Sequence, residues 1–249
     1  MSRLYYHLGA RFGVLVLIAL LIACHFVFDA SLDGQRGKSF DLYQTLSPRI
    51  ATAANVVVVG IDDETIGVEG RWPWPRDRIA DLVDAIHSAG VTVLGIDILF
   101  SEPDESPGGV ARDDRLARSI AASPTILATS IGDFPASSVP DTNVGWVVVG
   151  NGNADALPWL PGVITSTASI RAGAAGLGIV RSVSDSDGVV RSVPLVWASK
   201  STNRLSLWPT FSLELARVHK GQTGYALRVR PSGFEALKLG DTVIPLSNG

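Results

Sequence analysis

Cysteine is all but missing from this chain. One of its 249 residues is a cysteine, Cys24, which excludes an intrachain disulfide framework and a thiolate metal site. Histidine is nearly as sparse: His7, His25, His87 and His219 are scattered, and no pair has zinc-ligand spacing. Charged residues make up 18% of the chain, the net charge is −3 and no long basic run occurs. Nucleic acid is therefore not an expected partner. An apolar content of 46% argues against disorder. There is no Gly-x-Ser-x-Gly nucleophile elbow and no kinase signature. Gly37-Lys38-Ser39 ends like a phosphate loop, but Leu32 stands where the first glycine belongs. Gly173–Gly178 lacks the glycine order of a dinucleotide fingerprint, so close backbone packing explains it better. Ser184–Gly188 resembles part of a calcium loop without its third Asp/Asn or its closing Glu. These absences lead to an expectation of no catalytic residue, no metal and no cofactor.

What the chain does have is concentrated between Val56 and Phe100. Val56–Ile61 and Val91–Ile98 are almost uninterrupted β-branched runs, as strands buried on both faces tend to be. Between them Ile79, Leu82, Val83 and Ile86 fall on one helical face, and Gly90 sits where a C-terminal glycine belongs. The pattern predicts a βαβ unit with parallel strands and with Asp62 and Asp97 at one end of the sheet. The connection into the helix is Arg71-Trp72-Pro73-Trp74-Pro75-Arg76. Its prolines stiffen it, and Pro75 is placed to start the helix. Two readings are open: a rigid lid over the sheet edge, or two preordered indoles presented to a ligand or partner. The carboxylates likewise have two readings. Asp62, Asp63 and Asp97 either gather around a cation, or they pair with Arg76 or Arg78.

Elsewhere, Arg112–Ala122 has helical spacing with Leu116 and Ile120 inward and Arg112, Asp113, Arg115 and Arg118 outward. Thr125–Ser130 and Val144–Val149 read as strands. Asp187-Gly188 reads as the turn of a hairpin between Ile179–Val183 and Val189–Pro194. Trp208–Arg217 has helical spacing with Pro209 at its start. Tyr225–Val229, Phe234–Leu237 and Thr242–Leu246 read as short strands. Asp41–Ile50 reads as a short helix. At the N terminus, Phe12–Phe28 is an uncharged run of about 17 residues, near the lower limit for a spanning helix. It fits a membrane anchor best. A cleaved signal peptide and a lipoprotein signal, with Leu21-Ile22-Ala23-Cys24 as the lipobox, are the alternatives. The expected fold is α/β: an N-terminal transmembrane helix, then a mostly parallel sheet flanked by helices, with antiparallel hairpins in the C-terminal part.

Three motifs carry a resemblance. Ile61-Asp62-Asp63-Glu64-Thr65-Ile66, then Gly70–Arg76, then Gly95-Ile96-Asp97-Ile98-Leu99-Phe100-Ser101-Glu102-Pro103-Asp104 are together similar to the second type of CHASE domain. That family is the extracytoplasmic sensory module of bacterial adenylate cyclases, histidine kinases and related receptors. The resemblance runs from about residue 35 to 249, more loosely over Asp185–Pro194 and Trp208–Arg217. It implies a membrane anchor over 1–30 and an extracytoplasmic sensory domain over 31–249, at the bacterial inner membrane. It also implies a receptor whose output module is not in this chain, so that the sensory domain is incomplete at its C-terminal end and its last strands are under-paired. The expected partners are the membrane, a small-molecule or protein ligand, and a second copy in a homodimer. Candidate ligand-binding residues are Asp62, Asp63, Trp72, Trp74, Arg76 and Asp97. The competing reading is an exported metal-dependent hydrolase using Asp62 and Asp97.

Overall fold

The computed structural model describes residues 34–48, 56–132, 142, 144–151, 157–201, 204–231 and 233–246, with isolated positions between 14 and 22. The labelled elements run α1 (Asp63–Glu69), α2 (Arg76–Ser88), β1 (Leu94–Ile96), α3 (Gly109–Ala121), β2 (Thr125–Ile131) and β3 (Gly145–Gly150). They continue with β4 (Trp159–Leu160), β5 (Val163–Ile164), α4 (Ala168–Ala172), β6 (Gly176–Ile179), β7 (Val196–Ser201) and β8 (Arg204–Pro209). The last are α5 (Phe211–His219), β9 (Gly224–Arg230), β10 (Gly233–Leu239) and β11 (Thr242–Pro245). Two compact units result: Met1–Val59 with Ser184–Arg191, and Gly60–Val183 with Ser192–Gly249.

In the larger unit β2 pairs in parallel with β1 and β6, and in antiparallel with β5. β9 pairs in parallel with β3 and in antiparallel with β10, which pairs in antiparallel with β11. β7 pairs in parallel with β4 and in antiparallel with β8. All three sheets are mixed, which corrects the expectation of a mostly parallel one. Short returns such as Gly240-Asp241 allow only antiparallel pairing, whereas a parallel pair needs a long crossover.

The first expected strand does not form. Val56, Val57 and Val58 are 74%, 87% and 85% exposed, and residues 56–60 have no ladder partner. β-branched residues favour extended backbone, but an extended run becomes a strand only when it finds a partner. β1, shortened to Leu94–Ile96, pairs with β2 instead, and α3 is the connecting helix. Ile179–Val183 and Val189–Pro194 are not a paired hairpin either, although the turn exists: Gly188 has φ +81° and its N–H donates to Asp185 O. Pro209 ends β8 rather than starting a helix, and Trp208 is a fully buried strand residue opposite Trp197. A residue before proline is biased to extended geometry. The apolar run 12–28 lies mostly outside the described residues; among those described, no helix is long and apolar enough to cross a membrane.

Two apolar clusters make up the core of the larger unit. The first joins Ile79 and Val83 of α2, Leu116 and Ile120 of α3, Leu127, Leu177 and Trp208. The second joins Leu213 to Tyr225, Leu227, Val229, Leu237 and Leu239. Strand alternation lets β7 and β8 wall them apart: Trp197 and Trp208 face the first, and Val196, Ala198 and Leu207 the second. Helix α5 lies against strand glycines. A Cβ on Gly178 would come 2.4 Å from Phe211 Cα, one on Gly95 2.8 Å from Phe211 Cζ, and one on Gly176 2.0 Å from Glu214 Oε1. The small-residue run before β6 is thus a packing surface, as its composition suggests. Glu214 is fully buried, accepting from Arg217 Nη2 (2.6 Å), Arg217 Nε (3.0 Å) and Tyr225 OH (2.7 Å). Burial, and then the Glu214 charge, push the Tyr225 hydroxyl far above its ordinary pKa. β3 is an edge: among the described residues only β9 pairs with it, and Val147, Val148 and Val149 are each more than half exposed.

The smaller unit has a helical stretch over 34–46, longer than the expected 41–50 helix at its N-terminal side. Arg191 grips Asp41 with two donors (2.9 and 2.6 Å) and also reaches Asp185 (2.6 Å) and Asp187 (2.7 Å). Its guanidinium lies where a side chain on Gly37 would start, 3.0 Å from the Cβ position.

Two predictions follow from this packing. Gly178→Ala should destabilise the chain by about 1–3 kcal/mol or more, because the clash is with backbone. Gly67→Ala in α1, which meets nothing within 4 Å, should stabilise it by about 0.5–1 kcal/mol. Equal denaturation midpoints for the two variants would refute the packing account. The Arg191 hydrogen bonds hold the Asp187 carboxyl down to about 2 from 3.8. A depressed folded-state pKa means the contribution is present above 3.8 and lost as pH falls through about 2. Carboxyl NMR titration should find that midpoint, and Arg191→Ala should return it toward 3.8.

Candidate functional site

Asp62 is the N-cap of α1. Its Oδ1 accepts from Thr65 N–H at 2.9 Å and from the Thr65 hydroxyl at 2.5 Å. The hydroxyl bond is the main reason its pKa lies below the ordinary value. Asp63 is a first-turn acid of the same helix, favourably placed against its dipole. After Gly70 the Trp-Pro-Trp-Pro segment leads directly into α2, with Pro75 as N-cap. The Trp72–Pro73 peptide is cis. Trp74 is buried, and its indole N–H donates to Gly70 O at 2.9 Å. Trp72 is half-buried and meets Trp74 edge-on, with centroids 5.7 Å apart and planes at 68°.

Opposite this segment is the carboxyl end of β1, where the chain runs on through Asp97, Ile98, Leu99 and Phe100. A pocket of about 320 Å³ opens between them, with Trp72, Pro73, Trp74, Arg76 and Ile79 on one side and Asp97–Phe100 on the other. Clefts outside the carboxyl ends of strands are where α/β sheets take ligands.

Arg76, the first residue of α2, is held from behind. Nε donates to Asp113 Oδ1 at 3.3 Å and Nη2 to Glu102 O at 3.2 Å, and the guanidinium carbon sits 4.5 Å from the Phe100 ring centroid. Asp113 is buried and also accepts from Asp104 N–H at 2.9 Å. Asp104 in turn takes Arg112 Nε at 2.9 Å and Ser106 N–H at 3.1 Å. Arg112, and then Ser106, hold its carboxyl well below the usual carboxylate range. Gly109 belongs to the same clasp, since a Cβ there would fall 1.7 Å from Asp104 O.

Four of the six candidate residues therefore meet: Trp72, Trp74, Arg76 and Asp97 line one pocket. Asp62 and Asp63 do not line it. The expected joining of Asp62 with Asp97 required Val56–Ile61 to be a neighbouring strand, and it is not one. Neither arginine pairs with these carboxylates: Arg76 takes Asp113, and Arg78 takes the Glu69 carboxylate. Among the described residues no group of three or more His, Cys, Asp or Glu is placed to hold a metal. The expected outward Asp113 is inward. Its spacing from Leu116 and Ile120 already placed it on the buried stripe, a signal outweighed by its charge. Phe100, Asp104 and Arg112 are further contributors that were not among the candidate ligand-binding residues.

A model of the CHASE2 domain matches residues 14–248. The chain belongs to the CHASE2 domain family. CHASE2 is a sensory domain family and not a catalytic one. The matched region includes both walls of the pocket. No curated protein and no solved structure matches the chain.

Truncating Asp113 should leave Arg76 and the Asp104 N–H without their buried acceptor. Asp113→Ala is expected to cost about 1–3 kcal/mol, whereas the exposed neighbour Asp114→Ala should stay within about 0.5 kcal/mol. Urea melts of the two variants compare them directly.

Proposed function

We propose that this CHASE2 chain is the extracytoplasmic signal-sensing domain of a bacterial transmembrane receptor of the adenylate cyclase or histidine kinase kind. Its ligand site is the pocket between the Trp-Pro-Trp-Pro segment and the end of β1. The supporting observation is the meeting of Trp72, Trp74, Arg76 and Asp97 around one cavity. The apolar run 12–28 anchors the chain in the inner membrane, and residues after about 30 lie outside. The output module, the partner copy of a homodimer and the membrane are the components with which the sensor works. Sensing requires a ligand that binds one arrangement of the domain better than another, since equal affinity for both shifts nothing. Trp72 is well placed to couple binding to such a rearrangement, because it is half-buried, packs against the first core cluster and lines the cavity.

The test is a thermal-shift screen of the full chain against ions and small metabolites, followed by variants. A hit should raise the melting temperature of the wild type and of Trp159→Ala, because Trp159 lies outside the pocket. Trp72→Ala should bind it at least about tenfold more weakly. Unchanged affinity in a folded Trp72→Ala protein would move the site elsewhere.

A further inference from the structure

Resting on the pocket reading above, we propose that the ligand is a small organic cation, an amine or quaternary ammonium group held between the Trp72 indole and the Asp97 carboxylate. The charges in the walls decide the sign. Arg76 and Asp97 are the charged residues lining the pocket. Arg76 is neutralised from behind by Asp113 and donates to Glu102 O. Its charge is thus already matched by a buried carboxylate: Asp113 is 6% exposed, and drawing Arg76 away toward an anion would leave that buried charge without its cation. Asp97 is different. It is exposed and lines the pocket, and no hydrogen bond or ion pair engages its carboxylate among the described residues. The uncompensated charge of the pocket is therefore negative. Arg71, the remaining arginine of the segment, is exposed and does not line the pocket.

The rings give the same sign. Arg76 sits over Phe100 at 4.5 Å and Arg78 over Trp74 at 5.2 Å, so each of those rings already carries a cation of the protein. Trp72 carries none. It is half-buried and lines the pocket together with Asp97, so the side-chain ring that binds cations most strongly, an indole, stands in the same cavity as the carboxylate. Pro73, Ile98 and Leu99 offer apolar cover for the rest of the ligand. A volume of about 320 Å³ admits a compact molecule rather than a peptide.

Isothermal titration of the full chain with benzyltrimethylammonium, its neutral tert-butyl isostere (neopentylbenzene) and phenylacetate tests the proposal. The cation should bind, the neutral isostere should bind at least about tenfold more weakly, and the anion should not bind. Asp97→Asn preserves shape at an exposed position, so it should fold and lose about tenfold in affinity for the cation. Added salt should weaken the wild-type interaction. The cation proposal fails if no cation binds, if the neutral isostere or the anion binds as well as the cation, or if Asp97→Asn has no effect. If that happens while Trp72→Ala still weakens whichever probe binds, the pocket remains the site and only its ligand class is wrong. Cation binding that is indifferent to both variants overturns the pocket reading as well.

Discussion

Helix α5 can lie where it does only because three strand positions carry no side chain. Gly95, Gly176 and Gly178 let it approach β1 and β6 so closely that Phe211 and Glu214 occupy the space a Cβ would take. From that position its other side reaches the second apolar cluster through Leu213. The buried Glu214 fixes the rotation of the helix. A charge removed from water needs every acceptor position answered, and Arg217 and Tyr225 supply the donors. Arg217 extends the network to Ala175 O and Gln222 O, the backbone just before β6 and just before β9. One helix thereby holds two sheets in place through close contact on one side and a satisfied ion pair on the other.

The pocket depends on that arrangement at one remove. The segment leaving β1 forms one of its walls, and β1 is the strand against which Phe211 rests at Gly95. The other wall is set by the clasp of Asp104, Arg112 and Asp113 around the start of α3, which keeps Arg76 over Phe100. Asp113 is a buried acceptor serving two donors, so the wall and the loop 101–109 are fixed together. The two charged groups lining the site differ: Arg76 is paired with Asp113, whereas Asp97 has no partner among the described residues.

Helical stripes were legible in the sequence because burial there follows a 3.6-residue period that few other arrangements produce. Ile79 with Val83 and Leu116 with Ile120 are buried as the spacing requires. Thr125–Ser130, Val144–Val149 and the three C-terminal strands also correspond to observed strands, with Val144 and Leu246 falling one residue outside them. Pairing was not legible. Val56–Ile61 and Val91–Ile98 look equivalent as strings, yet only the second contributes a strand, because partners are chosen by tertiary packing rather than by composition. With no strand there, Asp62 does not join Asp97 at the pocket, so the site was legible in part: its aromatic and basic members came from a locally stiff segment, while the expected second carboxylate depended on topology. Trp208-Pro209 carried a usable local signal for extended backbone that helical spacing obscured.

The exposed valines of β3 bear on how the molecule behaves in a tube rather than on what it senses. An edge strand is normally blunted by lysine, proline or a bulge. Gly145–Gly150 reads Gly-Trp-Val-Val-Val-Gly, with no charge and no proline, and its register with β9 is unbroken. Such a segment is a template on which another extended chain can crystallise its backbone hydrogen bonds. Colloidal behaviour is then governed by encounter frequency, so concentration, ionic conditions and storage time become variables of sample quality in their own right. A single lysine replacing Val148 would act as a gatekeeper at that edge without touching either core cluster.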